Sequence, residues 1–363
     1  MLALLITGAF PMQAQTADST EVEKLDAVVA EESATDATED VDVNALVFGH
    51  IGDAYEWHIA TIGDTSVRIP LPVIVKSSTG WHCFSSSRLE EGETYEGLYI
   101  AEGGTYDGKI VERNAAGEEV RPLDISITKN VLGLFINSTV LVVILLSCAC
   151  WYKKHPIEEG APRGGVGMIE SLVVMINKDV IKGCIGEDYK RYAPYLLTAF
   201  FFVLVNNLMG LIPIFPGGAN VTGNIAVTLV LAMITFLFTN LFGTKAYWKD
   251  IFWPEVPTWL KVPIPMMPLI EFFGIFTKPF ALMIRLFANI MAGHAAILSL
   301  VAIIFITVKV GPVINGSMTF VAVVFGIFMD ALELLVAFIQ AYVFTMLSAV
   351  FIGLSRVKGH EAK

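Results

Sequence analysis

Arg285 stands in KPFALMIRLFANIMAGH with no acidic residue within a helical turn, inside a run that otherwise belongs in lipid or in a helix bundle. Burying an arginine there costs about 2.5 to 3.5 kcal/mol on insertion scales, so such a residue is a functional candidate by default. Snorkelling to the interface needs a helix end within reach, and Arg285 lies about 20 residues from either end of its stretch. Downstream, MDALELLVAFIQAYVF sets Asp330, Glu333 and Gln340 in an equally apolar context. If the two stretches fold back about a turn near Val313, Arg285 (about 28 residues before it) and Gln340 (about 27 after it) share one depth. His294 and Glu333, about 19 before and 20 after, share another, about 10 to 14 Å nearer the turn at 1.5 Å per residue. Asn289, one turn on from Arg285, falls between the tiers. Helical phase separates the roles, because His294 is about 180° round the helix from Arg285 while Asn289 is only about 40° away. Glu333 and Gln340 share a face of the second helix, with Asp330 one turn from Glu333. A buried string of Asp, Glu and His is what a proton relay requires; the alternative is a static buried ion pair.

Such residues need membrane helices to hold them, and 55% hydrophobic against 16% charged residues in a 363-residue chain fits a multi-span membrane protein. The apolar run 131–151 ends in Trp151, Tyr152, Lys153 and Lys154, an aromatic anchor with positive charges that puts this end in the cytoplasm. Residues 166–182 are apolar at helical spacing, with Glu170, Lys178, Asp179 and Lys182 between, and read as an amphipathic interfacial helix. Two further spans are expected at 192–214 and 221–242, the second followed by Lys245 and Lys249. A helical stretch over 265–309 then turns at Gly311, Pro312, Asn315 and Gly316 into a partner from Met318 to about Arg356. Both helices exceed a bilayer core of about 30 Å, so they must tilt or extend beyond it. The C-terminus, with Arg356, Lys358 and Lys363, is expected in the cytoplasm.

The charge is divided along the chain, for 23 of the 35 acidic residues but only 8 of the 24 basic ones precede residue 131. With no basic stripe for phosphates, nucleic-acid binding is disfavoured. Residues 1–15 resemble a secretory signal peptide without its basic start, which implies an extracytoplasmic head. Residues 16–45 read as an acidic disordered linker. The short β-prone runs at 67–75, 80–84, 97–101 and 109–113 point to a small β domain over 46–130, and residues 131–363 form the membrane domain. His50, Asp53, Glu56 and His58 match no familiar metal-ligand spacing and read as a solvated turn. Cys83, Cys148, Cys150 and Cys184 form neither a disulfide framework nor a zinc pattern, so no metal and no cofactor is expected.

In YAPYLLTAFFFVLVNNLMGLIP (192–213), TGNIAVTLVLA (222–232), RLFANIMAGH (285–294) and LELLVAFIQAYVF (332–344), the chain resembles the subunit a family of F-type ATP synthases. The resemblance runs from about Gly164 to Arg356. It implies a bacterial inner-membrane protein of about five transmembrane helices plus an interfacial helix, with the last two forming a long tilted hairpin. It also implies partners: a ring of c subunits, the b subunit of the stator, the rest of the complex, and lipid. Arg285 matches the essential arginine facing the ring, Asn289 the asparagine one turn on, Gln340 the glutamine beside the arginine, and Asn207 an asparagine lining the entry path. Two offset half-channels would meet the ring with Arg285 between them, and His294, Glu333 and Asp330 would line the extracytoplasmic one. Two departures stand out. Many bacterial members carry glutamate at the position of His294 and histidine at that of Glu333, and Gly210 replaces an aspartate found in some. The chain has no phosphate-binding GxxxxGK[ST] loop, so it is not expected to be an enzyme by itself. A secondary transporter would bring inverted repeats, which the two halves lack, and a receptor with a sensor head would need no buried arginine.

Overall fold

The computed structural model describes residues 52–62, 65–101, 103–114, 117–155, 162–212, 215–252 and 266–356. The signal-peptide and acidic-linker segments, His50, Lys358 and Lys363 lie outside the described residues. Eight strands come first: β1 (Glu56–Ile62), β2 (Thr65–Pro70), β3 (Pro72–Ser77), β4 (Gly80–Ser85), β5 (Leu98–Ile100), β6 (Ile110–Arg113), β7 (Glu119–Val120) and β8 (Leu123–Asp124). They pair antiparallel into a β1-β2 hairpin and two three-stranded sheets, ordered β4-β3-β8 and β5-β6-β7. Val73 and Val75 of β3 are fully buried and cluster with Tyr55, Phe84, Leu98 and Ile110, so the period-2 pattern of PVIV supplies the core of this domain.

Two readings of this region change. The apolar run 67–75 is two strands, because the chain breaks at Leu71 between Pro70 and Pro72, and the Leu71 amide donates to Ser86 Oγ (3.0 Å) instead of to a ladder. Of the segment that reads as a solvated turn, Glu56 and His58 fall in β1, where Glu56 pairs with Arg68 of β2 at 3.0 Å and Trp57 is buried. Among the described residues no group of three or more His, Cys, Asp or Glu is arranged to hold a metal ion.

The membrane part consists of α1 (Lys129–Lys154), α2 (Gly165–Met175), α3 (Tyr189–Leu211), α4 (Ile225–Leu241), a short α5 (Lys245–Phe252), α6 (Met266–Thr307) and α7 (Pro312–Ser355). Four of the helical stretches are long and apolar enough to cross a membrane, and a fifth is reached if α4 and α5, bent by 99°, count as one span. This is a multi-pass membrane protein. At 42 and 44 residues, α6 and α7 are each about 65 Å long, twice the bilayer core. The turn between them is tighter than the sequence pattern predicts. Only residues 308–311 intervene, with Gly311 at φ 133°, and Pro312 opens α7 because its missing amide proton is no loss in a first helical turn.

The stretch 166–182 also departs from a plain interfacial helix. It is α-helical to Met175 and then π-helical over Ile176–Lys182, with Ile176, Val180 and Ile181 buried in the core alongside Tyr192, Leu196, Phe344 and Ile352. The widened π turn lets three apolar side chains reach α3 and α7 while Lys178, Asp179 and Lys182 stay exposed. Helix α4 begins at Ile225, and Asn224 caps it by accepting from the Ala226 amide (3.0 Å). The preceding residues form a buried loop.

In the bundle, Asn137 of α1 donates to Asn206 of α3 at 3.0 Å, and both are buried. At the far end from the β domain, the Thr244 amide donates to the Ser355 carbonyl (2.9 Å), and Arg356 reaches Asp188 (2.6 Å) and the Phe242 carbonyl (3.2 Å).

In the β domain, Tyr55 donates its hydroxyl to Asp124 Oδ2, and burial followed by the adjacent carboxylate pushes its phenol far above the usual range. Tyr55 therefore stays a donor at any physiological pH. Tyr55→Phe removes this donor from a partly buried carboxylate and is expected to destabilise the domain by about 1 to 3 kcal/mol. Amide hydrogen exchange in β3, β6 and β8 of the intact protein should accelerate accordingly, and unchanged protection would contradict this role.

Candidate functional site

Helix α6 turns Leu282, Met283, Leu286 and Ile290 inward, each 4% exposed or less. Arg285 and Asn289 are left on its outer face, both exposed. Their positions follow from the 3.6-residue period, since 282, 286 and 290 form one stripe and 285 and 289 the next. Among the described residues no carboxylate pairs with Arg285, and no hydrogen bond joins it to Gln340. Gln340 is itself buried at 7% exposure on α7. The cation thus faces away from the bundle, on a helix whose outer surface also shows Phe273, Phe280 and Ile284.

The second tier lies inside. His294 Nδ1 of α6 is 3.3 Å from Glu333 Oε1 of α7, with the Glu333 side chain 4% exposed. Neither Glu333 oxygen accepts a well-formed hydrogen bond among the described residues. Among the described residues the imidazole is therefore the group at ion-pair distance from this buried carboxylate. One proton held between an acid and an imidazole leaves the pair neutral overall whichever atom carries it, which lowers the cost of burial. Asp330, one turn from Glu333, is exposed. Asn207 of α3 is buried and donates from Nδ2 to the Ala337 carbonyl of α7 at 3.2 Å, one turn from both Glu333 and Gln340.

Two glycines clear this space. A methyl built on Gly293 would meet Glu333 Oε1 at 2.8 Å, so the carboxylate in its present place lies close against the glycine. A methyl on Gly210 of α3 would lie 3.7 Å from His294 Nε2, so the position that is aspartate in some family members borders the histidine directly. Gly293 was not singled out by sequence reasoning. A signal was available, because a glycine inside an apolar helix costs about 1 kcal/mol relative to alanine and calls for a close approach as its reason.

The arrangement pairs an exposed, unneutralised cation on the outside of a helix with a buried acid–imidazole pair on its inside, two to three turns away. That combination can pass protons through the bundle interior and hold an anion at its outer surface.

The family model described as ATP synthase A chain matches residues 134–353, and a second model, described as a domain of unknown function, matches residues 46–127. The chain is 47% identical over 253 residues to ATP synthase subunit a 2 of Chlorobaculum tepidum, covering 67% of this chain and 68% of that protein. It is 44% identical over 241 residues to ATP synthase subunit a of Chloroherpeton thalassium (65% and 68%), and 40% identical over 245 residues to that of Myxococcus xanthus (66% and 76%). The matched region carries α3, α4, α6 and α7 with all the polar residues described above, and the chain belongs to the ATP synthase A chain family, subunit a of the F-type enzyme.

Proposed function

We propose that this chain is the proton-translocating stator subunit of a bacterial F-type ATP synthase, offering a ring of c subunits two offset half-channels with Arg285 as the barrier between them. The observation that carries the reading is the opposite orientation of the two tiers. Arg285 and Asn289 are exposed on α6, where a ring could pass, while His294 and Glu333 are enclosed behind them. A fixed cation repels protons and attracts each deprotonated ring carboxylate as it arrives, so protons cannot cross directly and must ride the ring. Arginine suits this task better than lysine, because its guanidinium stays charged when desolvated and offers a planar fork to a carboxylate. Gln340, buried on α7 at the depth of Arg285, is read as the neutral polar group behind the arginine.

His294 and Glu333, with Asp330 and Asn207 beside them, form the half-channel on the side of the β domain. The positive charges at Lys153, Lys154, Lys245 and Lys249 argue that this side is extracytoplasmic and that the chain ends in the cytoplasm. A membrane potential supplies about 2.3 kcal/mol per charge per 100 mV, so several protons must pass for each ATP made. The nucleotide chemistry belongs to the partner subunits, and the b subunit would anchor this chain against the turning ring.

Arg285→Ala is expected to reduce ATP synthesis below detection in a fully assembled complex, and Arg285→Lys to lose most of it. Near-normal synthesis by assembled, purified Arg285→Ala enzyme would sink the mechanism. The buried pair gives a second test. His294→Glu alone sets two carboxylates side by side that cannot both ionise, and Glu333→His alone sets two imidazoles together. Each change is expected to slow ATP-driven pumping in inverted vesicles. The double exchange restores one acid and one imidazole, so it should recover a substantial share of the rate and leave a large non-additive term. Strict additivity per assembled complex, across several pH values, would mean the two residues act separately.

A further inference from the structure

The β domain meets the membrane helices through a small set of residues, and these lie next to His294. Trp57 of β1 is 3% exposed and packs on Ala219 and Val221, 2% and 0% exposed, in the loop 215–224 between α3 and α4. Its ring stands edge-on to Phe215 with centroids 5.3 Å apart. Helix α1 closes the contact from the side, for a methyl on Gly133 would lie 2.5 Å from Ala219 Cβ and 3.8 Å from Trp57 Cη2. The inner side of the same loop borders the polar pair. The Cβ position of Gly210 is 3.8 Å from the Ala219 carbonyl oxygen and 3.7 Å from His294 Nε2, and Asn220 Nδ2 contacts the Met291 sulfur at 4.0 Å. The 215–224 loop and the Gly210 turn of α3 therefore stand between the indole of the β domain and the imidazole.

A second link runs through the start of α1. Asp53 accepts from the Asn130 amide (3.1 Å) and the Ala54 carbonyl accepts from the Lys129 amide (2.9 Å), so residues 53 and 54 complete the first turn of α1 from the β domain. The Lys129 ammonium is within electrostatic range of Asp53 on one side and of His294 on the other.

The loop needs such support. It contains Gly217, Gly218 and Gly223, has no regular secondary structure, and is held by hydrogen bonds from the Gly218 amide to the Met209 carbonyl of α3 (3.2 Å) and from the Gly223 amide to Asn220 Oδ1 (2.9 Å). Glycine-rich backbone carries a high ordering entropy, whereas a buried indole contributes about 150 to 250 Å² of rigid contact.

We propose that the β domain is a working part of the ion path, in which Trp57 is a positioning residue that presses the 215–224 loop onto Gly210 of α3, and through it onto His294, as the outer wall of the half-channel. This rests on the reading of the preceding subsection. With the wall in place, the imidazole is held in line with Glu333. Without it, the ring rotates into the vacated space, and proton transfer, which depends on donor and acceptor alignment, slows.

The test uses complete complexes in vesicles, with the ATPase head stripped off and passive proton conduction measured under an imposed potential, normalised to c-ring content. Trp57→Ala is expected to lower conduction by about threefold or more, a coupling of the size seen between residues that share a network, and Trp57→Phe to restore most of it. Gly133→Ala leaves the β domain intact but drives a methyl into Ala219, and is expected to lower conduction too. In a His294→Ala background, Trp57→Ala should have little further effect. Wild-type conduction in both Trp57→Ala and Gly133→Ala, or an equal loss with and without His294, would overturn the proposal. Arg285→Ala, which does not touch the β domain, separates the two levels. If it retains ATP synthesis, the underlying reading fails; if it loses synthesis while Trp57→Ala behaves as wild type, only this inference does.

Discussion

The constraint on which the bundle turns is the burial of Glu333. A carboxylate enclosed among apolar helices, without hydrogen-bond donors, is tolerable only if a group that can share a proton stands beside it. His294 meets that need from α6, and the requirement sets the register of α6 against α7 more sharply than apolar packing does, since lipid tails are as apolar as the side chains they would replace. The glycine at 293 lets the carboxylate approach the helix backbone, since a methyl there would make the end of the Glu333 side chain shift.

The placement of Arg285 is the complement of that pair. On a helix of period 3.6, a residue nine positions from an inward-facing histidine points outward, so a helix that buries His294 must present Arg285 on its other side. The exposed cation and the histidine of the buried acid–imidazole pair are thereby carried by one rigid element, and neither can rotate without moving the other. Asn207 ties α3 to α7 close to both tiers, and the Asn137–Asn206 bond ties α1 to α3, so the polar residues of the interior also fix the helices to one another.

The two ends of the bundle are held by different means. Away from the β domain, backbone and side-chain bonds clamp the end of α7 to the end of α4 and to Asp188, and Gly353 packs directly on the Cys184 carbonyl. On the β-domain side the covering is mainly aromatic and apolar, with Trp57, Phe215, Ala219 and Val221 in one cluster. A clamp of hydrogen bonds resists sliding of the helices, whereas an apolar lid over a glycine-containing loop excludes water.

Much of this was legible without coordinates. Apolar run length and lysine placement located the spans, because a bilayer imposes a length and a charge rule that act on the chain locally. The shared depth of His294 and Glu333 could be counted from the hairpin, since helix rise and period are constants of the backbone. What sequence could not decide was set by contacts between distant segments. The break of the apolar run at Leu71 depends on Ser86, and the conversion of 176–182 to a π turn depends on the surfaces of α3 and α7. The strand at 56–62 pairs locally with β2, but the loop that buries Trp57 lies far along the chain. Residue type and spacing determined which groups could do the chemistry and at what depth; only tertiary packing decided which groups enclose them, because burial is a property of neighbours brought together by the fold.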